Sequence, residues 1–226
     1  ADKGPLYVRG ALPGERVKVD STGRMLGIDG APSPERRTSY LCPHFPSCGG
    51  CTVQHLGDDL YRRWKAGLLA TALSQHGIEC APEPMISVPL ATRRRAAFSG
   101  RNGRSGFELG FHAEASEAIV DMTACAVLAP QIVSALPLLH RIGALTAPRE
   151  GDVRISVLAT PQGLDLTIST ARGKIDARLT SQLAALAASG PVARVTLNGD
   201  PVVTARAPLV ELSGVAVVPP PASFLQ

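Results

Sequence analysis

The sequence predicts an α+β fold, and three observations predict it. Stretches that alternate apolar and polar residues recur in pairs around turn residues, most clearly 153–157 and 164–168 around Pro161-Gln162-Gly163. Stretches with an apolar residue at every third or fourth position, such as 58–76 and 176–186, stand between them without strict strand–helix alternation. The chain of 226 residues is 45% hydrophobic, enough for a genuine core in one large or two small domains.

Taken in order, residues 1–38 read as short strands and turns: 6–8, a Pro13-Gly14 turn, 17–19, then a glycine-rich connection. The last hairpin of a small barrel leaves such a pattern. Asp58 or Asp59 is placed to cap a helix that runs to about His76 and stops at Gly77. Leu60, Trp64, Leu68 and Ala72 form one apolar face of that helix, which assigns Trp64 to the core rather than to base stacking. Arg62, Arg63 and Lys65 fall away from the stripe, which suits an ordinary solvated helix face as well as it suits RNA contact.

From Arg93 the period becomes two. A strand over 93–99, a turn-rich stretch over 100–106 and a strand over 107–112 make a hairpin in which Arg93 and Arg95 share a face and Arg94 takes the other. Pro130 opens a helix with Ile132, Leu136, Leu139 and His140 about its apolar side, interrupted by Pro137. The hairpin of 153–157 and 164–168 is expected to have one buried and one wet face. Asp176 caps a helix through Leu179, Leu183 and Leu186. Strands at 192–197, near Val202 and near Val215, with a turn at Asn198-Gly199-Asp200, are expected to complete a second, small sheet.

The most informative stretch is 42–51, which carries Cys42-x5-Cys48-x2-Cys51. Pro43 and Pro46 stiffen its first half, and Gly49-Gly50 let the backbone come close to whatever the sulfurs hold. A metal held there needs a fourth ligand. Cys80 lies in an undistinguished loop, whereas Cys125 lies between a strand-like segment and the helix opened by Pro130, so Cys125 is the better candidate. Zinc sites commonly pair two close cysteines with two distant ligands, while three clustered cysteines and one distant one suit an iron–sulfur cluster. The competing explanation is unrelated buried cysteines or a disulfide. His44 and His112 are possible ligands, but lone histidines beside a full cysteine set more often read as surface groups or supports of the ligands.

The net charge is +4 and the sequence pI about 9.0, which modestly suits a polyanionic partner. The densest cationic group is Arg93, Arg94 and Arg95, followed by Arg101 and Arg104; a second is Arg62, Arg63 and Lys65. No apolar run reaches membrane-spanning length and no signal-peptide pattern opens the chain. No membrane association and a cytoplasmic location, with reduced cysteines, are therefore expected.

The run Cys42-Pro-His-Phe-x-x-Cys48-Gly-Gly-Cys51-x-x-Gln54-His55-Leu56 resembles the cluster-binding signature of the RNA (uracil-5-)-methyltransferases, which use S-adenosyl-L-methionine to make 5-methyluridine in RNA. Three stretches fall in the family's order. Residues 11–17 resemble the end of its RNA-binding TRAM segment, Cys125-Ala-Val-Leu128 the segment of the fourth cluster cysteine, and Phe224-Leu225-Gln226 the Phe-x-Gln that opens the methyltransferase domain.

The placement of charge offers Arg93, Arg95, Arg101, Arg104, Arg62 and Lys65 as RNA contacts. The resemblance implies a [4Fe–4S] cluster on Cys42, Cys48, Cys51 and Cys125 and a part for Gln226 in holding S-adenosyl-L-methionine. It implies 23S rRNA as the partner and a monomer as the state. It divides the chain into a partial TRAM, oligonucleotide-binding-type barrel at 1–38, a mixed α+β central domain at 39–216, and the start of a truncated methyltransferase domain at 217–226. On this reading both ends are cut, and the Rossmann-like catalytic domain is absent.

The family's reaction needs a cysteine that adds to uracil C6 and a base that removes the C5 proton, and no motif for either is found in these residues. The fragment alone is therefore expected to be inactive. Two other readings stand beside this one: a zinc-stabilised RNA-binding module, and an iron–sulfur electron-transfer protein.

Overall fold

The computed structural model describes residues 4–103, 106–172, 175–221 and 223. The chain forms two compact units, one of Ala1–Leu41 with Cys51–Ser87 and one of Cys42–Gly50 with Val88–Gln226.

In the first unit, β1 (Val17–Val19) pairs antiparallel with β2 (Met25–Ile28), Val17 standing opposite Ile28. Residues 6–8, expected as a strand, form none: Leu6 and Tyr7 are exposed, and among the described residues no strand offers them a ladder. The unit is held instead by a carboxylate. Glu15 accepts from the Arg36 guanidinium through Nε at 2.7 Å and Nη2 at 2.5 Å, and from the amides of Leu12 and Ser33 at 2.8 and 3.0 Å. Its side chain is 1% exposed, and the hydrogen bond from Arg36 is the main reason its pKa falls to about 2.

Helix α1 (Asp58–Ser74) follows. Its N-cap is Gly57, which has no side chain to cap with; Asp58 and Asp59 occupy the first turn, where carboxylates favour the positive end of the helix dipole. Asp58 accepts from Arg37 Nη2 at 2.6 Å. The predicted stop at Gly77 holds, since Gly77 takes φ +72° and closes the helix by donating to the Ser74 carbonyl. The predicted core position of Trp64 does not hold. Helix α1 buries no residue, Trp64 is 41% exposed, and Leu68 on the same apolar stripe is exposed as well.

The second unit is built on one seven-stranded sheet, in the order β5-β4-β3-β6-β7-β8-β9. Its strands are β3 (Arg95–Gly103), β4 (Gly106–His112), β5 (Ile119–Asp121), β6 (Val153–Thr160), β7 (Gly163–Thr170), β8 (Val192–Leu197) and β9 (Asp200–Thr204). All neighbours are antiparallel except β7 and β8, which run parallel across a helical connection. Gly103 stands opposite Gly106, so most of the stretch expected as a turn is strand.

Helices α2 (Pro130–Ser134), α3 (Leu136–Thr146) and α4 (Ala177–Ala188) cover one face. Pro137 lies in the first turn of α3, where its missing N–H costs nothing, so the interruption becomes a break between two helices. Asp176 caps α4 as expected, accepting from the Leu179 amide at 2.8 Å. Phe98, Leu109, Ile132, Leu139, Ile142, Ile155, Leu166 and Leu183 fill the space between sheet and helices.

Two sheet expectations are corrected. The β6–β7 hairpin has no fully wet face, because Ser156, Asp165 and Thr167 on its polar side are buried. Arg194 of β8 closes over Asp165 at 2.8 and 2.6 Å and donates to the Pro219 carbonyl at 2.8 Å. Strands β8 and β9 also extend the main sheet rather than starting a second one. Among the described residues of this unit, β10 (Val210–Leu212) and β11 (Val215–Val217) stand apart as a two-stranded hairpin. Among the described residues no helix is long and apolar enough to cross a membrane.

Candidate metal and nucleic-acid site

The cysteine loop is shaped first by its own turns. Phe45 donates to the Cys42 carbonyl at 3.2 Å and Cys48 to the His44 carbonyl at 2.9 Å. Residues 42–50 belong to the second unit, and two points fasten them there. The Gly49 amide donates to the His112 carbonyl at the end of β4 at 2.9 Å, next to a bridge between Cys48 and Ala113. The Thr123 amide donates to His44 Nε2 at 3.2 Å, which ties the loop to the segment that leads into Cys125. Cys42 and Cys48 are buried, Cys48 within the main core, and Cys125 packs against that core half-buried.

None of the five cysteines is in a disulfide. Cys51 lies in the first unit, half-buried, and Cys80 is exposed. Thiolates are soft donors of the kind that zinc and iron–sulfur clusters take, and three of these five thiols are close in sequence. Among the described residues, however, no group of three or more His, Cys, Asp or Glu side chains is drawn together as ligands of one metal ion. Sequence reading placed His44 outside the ligand set, and its ring serves as a tether. It left His112 in the same class, and that ring meets Ser99 Oγ at 3.0 Å. His44 lies inside the cysteine loop, so its proximity was legible, but its partner Thr123 was not.

The candidate arginines divide. Arg93 is strapped by its backbone to the segment after Cys125, donating to the Val127 carbonyl at 3.0 Å and accepting from Ala129 at 2.9 Å, with its side chain exposed. Arg95 opens β3, also exposed, opposite Leu158. Arg101 is committed to Asp152 through a fork at 2.5 and 3.0 Å, a pairing that makes its proton still harder to lose. In the first unit Arg62 pairs with Asp59 at 3.1 Å, and Lys65 Nζ lies 5.9 Å from the centre of the Trp64 ring. Arg104, Phe224 and Gln226 lie outside the described residues. Also in the first unit, His55 is buried, and burial pushes its pKa down, so its neutral form is favoured.

No family model matches the chain. Curated relatives do. An uncharacterized RNA methyltransferase of Caulobacter vibrioides is 40% identical over 238 residues, covering 100% of this chain and 56% of that protein. One of Brucella suis is 38% identical over 225 residues, covering 99% of this chain and 54% of its own length. The 23S rRNA (uracil(1939)-C(5))-methyltransferase RlmD of Halomonas elongata is 34% identical over 177 residues, 74% of this chain and 36% of that enzyme. The chain spans about half the length of the first two. Along practically its whole length, the chain is thus homologous to about half of a protein of the RNA methyltransferase family.

Proposed function

We propose that this chain is the RNA-recognition and [4Fe–4S]-holding portion of an S-adenosyl-L-methionine-dependent RNA (uracil-5-)-methyltransferase that forms 5-methyluridine in 23S rRNA. The observation that carries this reading is the double anchoring of the cysteine loop, which brings buried Cys42 and Cys48 into the same unit as Cys125. The partial likeness to the Halomonas rRNA enzyme supports the choice of RNA.

On this reading Cys42, Cys48, Cys51 and Cys125 hold the cluster, which joins the loop to the start of the helical layer and supplies folding free energy. Metal ligation in small sites contributes on the order of 10 kcal/mol. Arg93 and Arg95, both exposed, contact phosphate. Arg101 and Arg62 reach it only by leaving their carboxylate partners, which places them second. Arg104 and Lys65 complete the cationic set, and Gln226 belongs to the methyl-donor pocket. Methyl transfer itself needs groups that these residues do not supply, so the isolated chain is inactive and the parent protein is the enzyme.

The RNA half of the reading is tested by titrating the chain into a 23S rRNA fragment at several salt concentrations. Replacing Arg93 with Gln should weaken binding and flatten the salt dependence by about one phosphate contact. Unchanged affinity and slope would remove Arg93 from the interface. Detectable 5-methyluridine formation by the chain alone would overturn the assignment of catalysis elsewhere.

A further inference from the structure

The sheet of the second unit has two unlike faces. Ala96 and Phe98 of β3 and Val153, Ile155 and Val157 of β6 point to the helices and are buried. Alternation sends Arg95, Ala97 and Ser99 of β3 to the opposite face, and the register places Ser99 directly opposite Arg154 of β6. Side chains directly opposite on antiparallel strands are close enough to act on one ligand. Arg154 is exposed and has no acidic partner among the described residues. The acids of this stretch, Asp152 and Glu108, stand around Arg101, two positions further along β3, and Asp152 is already engaged by it.

The hydroxyl of Ser99 is met from the neighbouring strand β4. His112 Nε2 lies 3.0 Å from Ser99 Oγ, while His112 Nδ1 is buried with no hydrogen-bond partner among the described residues. A buried N–H without an acceptor is costlier and rarer than a bare acceptor, so the proton belongs on Nε2 and is donated to Ser99 Oγ. The Ser99 hydroxyl proton is then available to an acceptor, and Arg154 stands opposite on β6. A hydroxyl donor and a guanidinium on a flat strand pair, with Ala97 keeping the floor low, fit one anionic tetrahedral group.

We infer that Ser99 and exposed Arg154, with Ser99 oriented through His112, form a contact for a backbone phosphate of single-stranded RNA on the sheet face away from the helices. The inference rests on the RNA reading above and adds to it a site outside the arginine cluster at 93–95. Arg95, on the same face and nearer the start of β3, gives the strand a second cation to run toward.

The test is a fluorescence-anisotropy titration of the full chain with a labelled oligouridine across a range of salt. Arg154→Gln should lower affinity and reduce the slope of log K against log salt by about 0.7, the value for one contact to a single strand. Ser99→Ala should weaken binding roughly two- to tenfold while leaving the slope unchanged, as for one lost neutral hydrogen bond. Arg178→Gln, on helix α4 on the other side of the sheet, should change neither, and all variants should melt like the parent.

If the parent chain binds and Arg154→Gln behaves like Arg178→Gln, this contact is overturned while the RNA reading stands. Failure of the parent chain itself to bind the oligouridine overturns both.

Discussion

The Gly49 amide donates to the His112 carbonyl at 2.9 Å, and a Cβ on Gly49 would lie 2.8 Å from that same oxygen. The cysteine loop therefore lies flush against the end of β4 at Gly49, where no side chain holds it away. At Gly50 a Cβ would meet Cys48 Sγ at 3.5 Å, an ordinary contact.

This difference predicts unequal costs for two neighbouring substitutions. Gly49→Ala must push the loop off β4 and should destabilise the second unit by about 1–3 kcal/mol. Gly50→Ala should stay within about 0.5 kcal/mol of the parent. Urea unfolding of both variants checks this, and equal costs would mean that the loop is not seated on His112.

The buried pair of Asp165 and Arg194 predicts a large, one-sided penalty. Arg194→Leu leaves the Asp165 carboxylate uncompensated in the sheet and frees the Pro219 carbonyl, and should cost about 3–5 kcal/mol. Adding Asp165→Leu in the same chain should recover much of that loss, because two apolar groups replace the charged pair. A double variant no more stable than Arg194→Leu would contradict this account of the pair.

Glu15 predicts an acid-sensitive first unit. Its pKa in the folded chain is about 2, below its ordinary 4.5, so the stabilisation is complete above pH 4.5 and is lost as pH falls toward 2. Glu15→Gln removes the charge at every pH. The gap in melting temperature between parent and variant should therefore be widest above pH 4.5 and shrink as the pH falls toward 2. A gap constant across that window would mean that the Arg36 pairing does not control the titration.

Where sequence and structure agree, local chemistry decides the outcome. The Asp176 cap, the Gly77 stop and the β3–β4 and β6–β7 hairpins rest on residues within a few positions of each other. What was not legible depends on distant partners. Trp64 has the spacing of a core residue but is left exposed. The wet face expected for β6 and β7 is closed by Arg194, from beyond α4. The parallel pairing of β7 with β8 is signalled by the helix between them, but strand pattern alone does not distinguish that pairing from the start of a second sheet.

In the candidate site the thiols were legible from spacing, but the tether from Thr123 to His44 was not, because 79 positions separate the two. The Ser99–Arg154 pair escaped for the same reason, since only the β3–β6 register brings those residues together.

The central claim is that the thiols hold an iron–sulfur cluster, and the most direct measurement is iron, acid-labile sulfide and zinc content, with a visible spectrum, on protein purified without oxygen. The account predicts about four irons with matching sulfide, lost on replacing Cys42, Cys48, Cys51 or Cys125 with Ser and retained on replacing Cys80. One tightly bound zinc without sulfide would contradict it and point to a zinc-stabilised RNA-binding module.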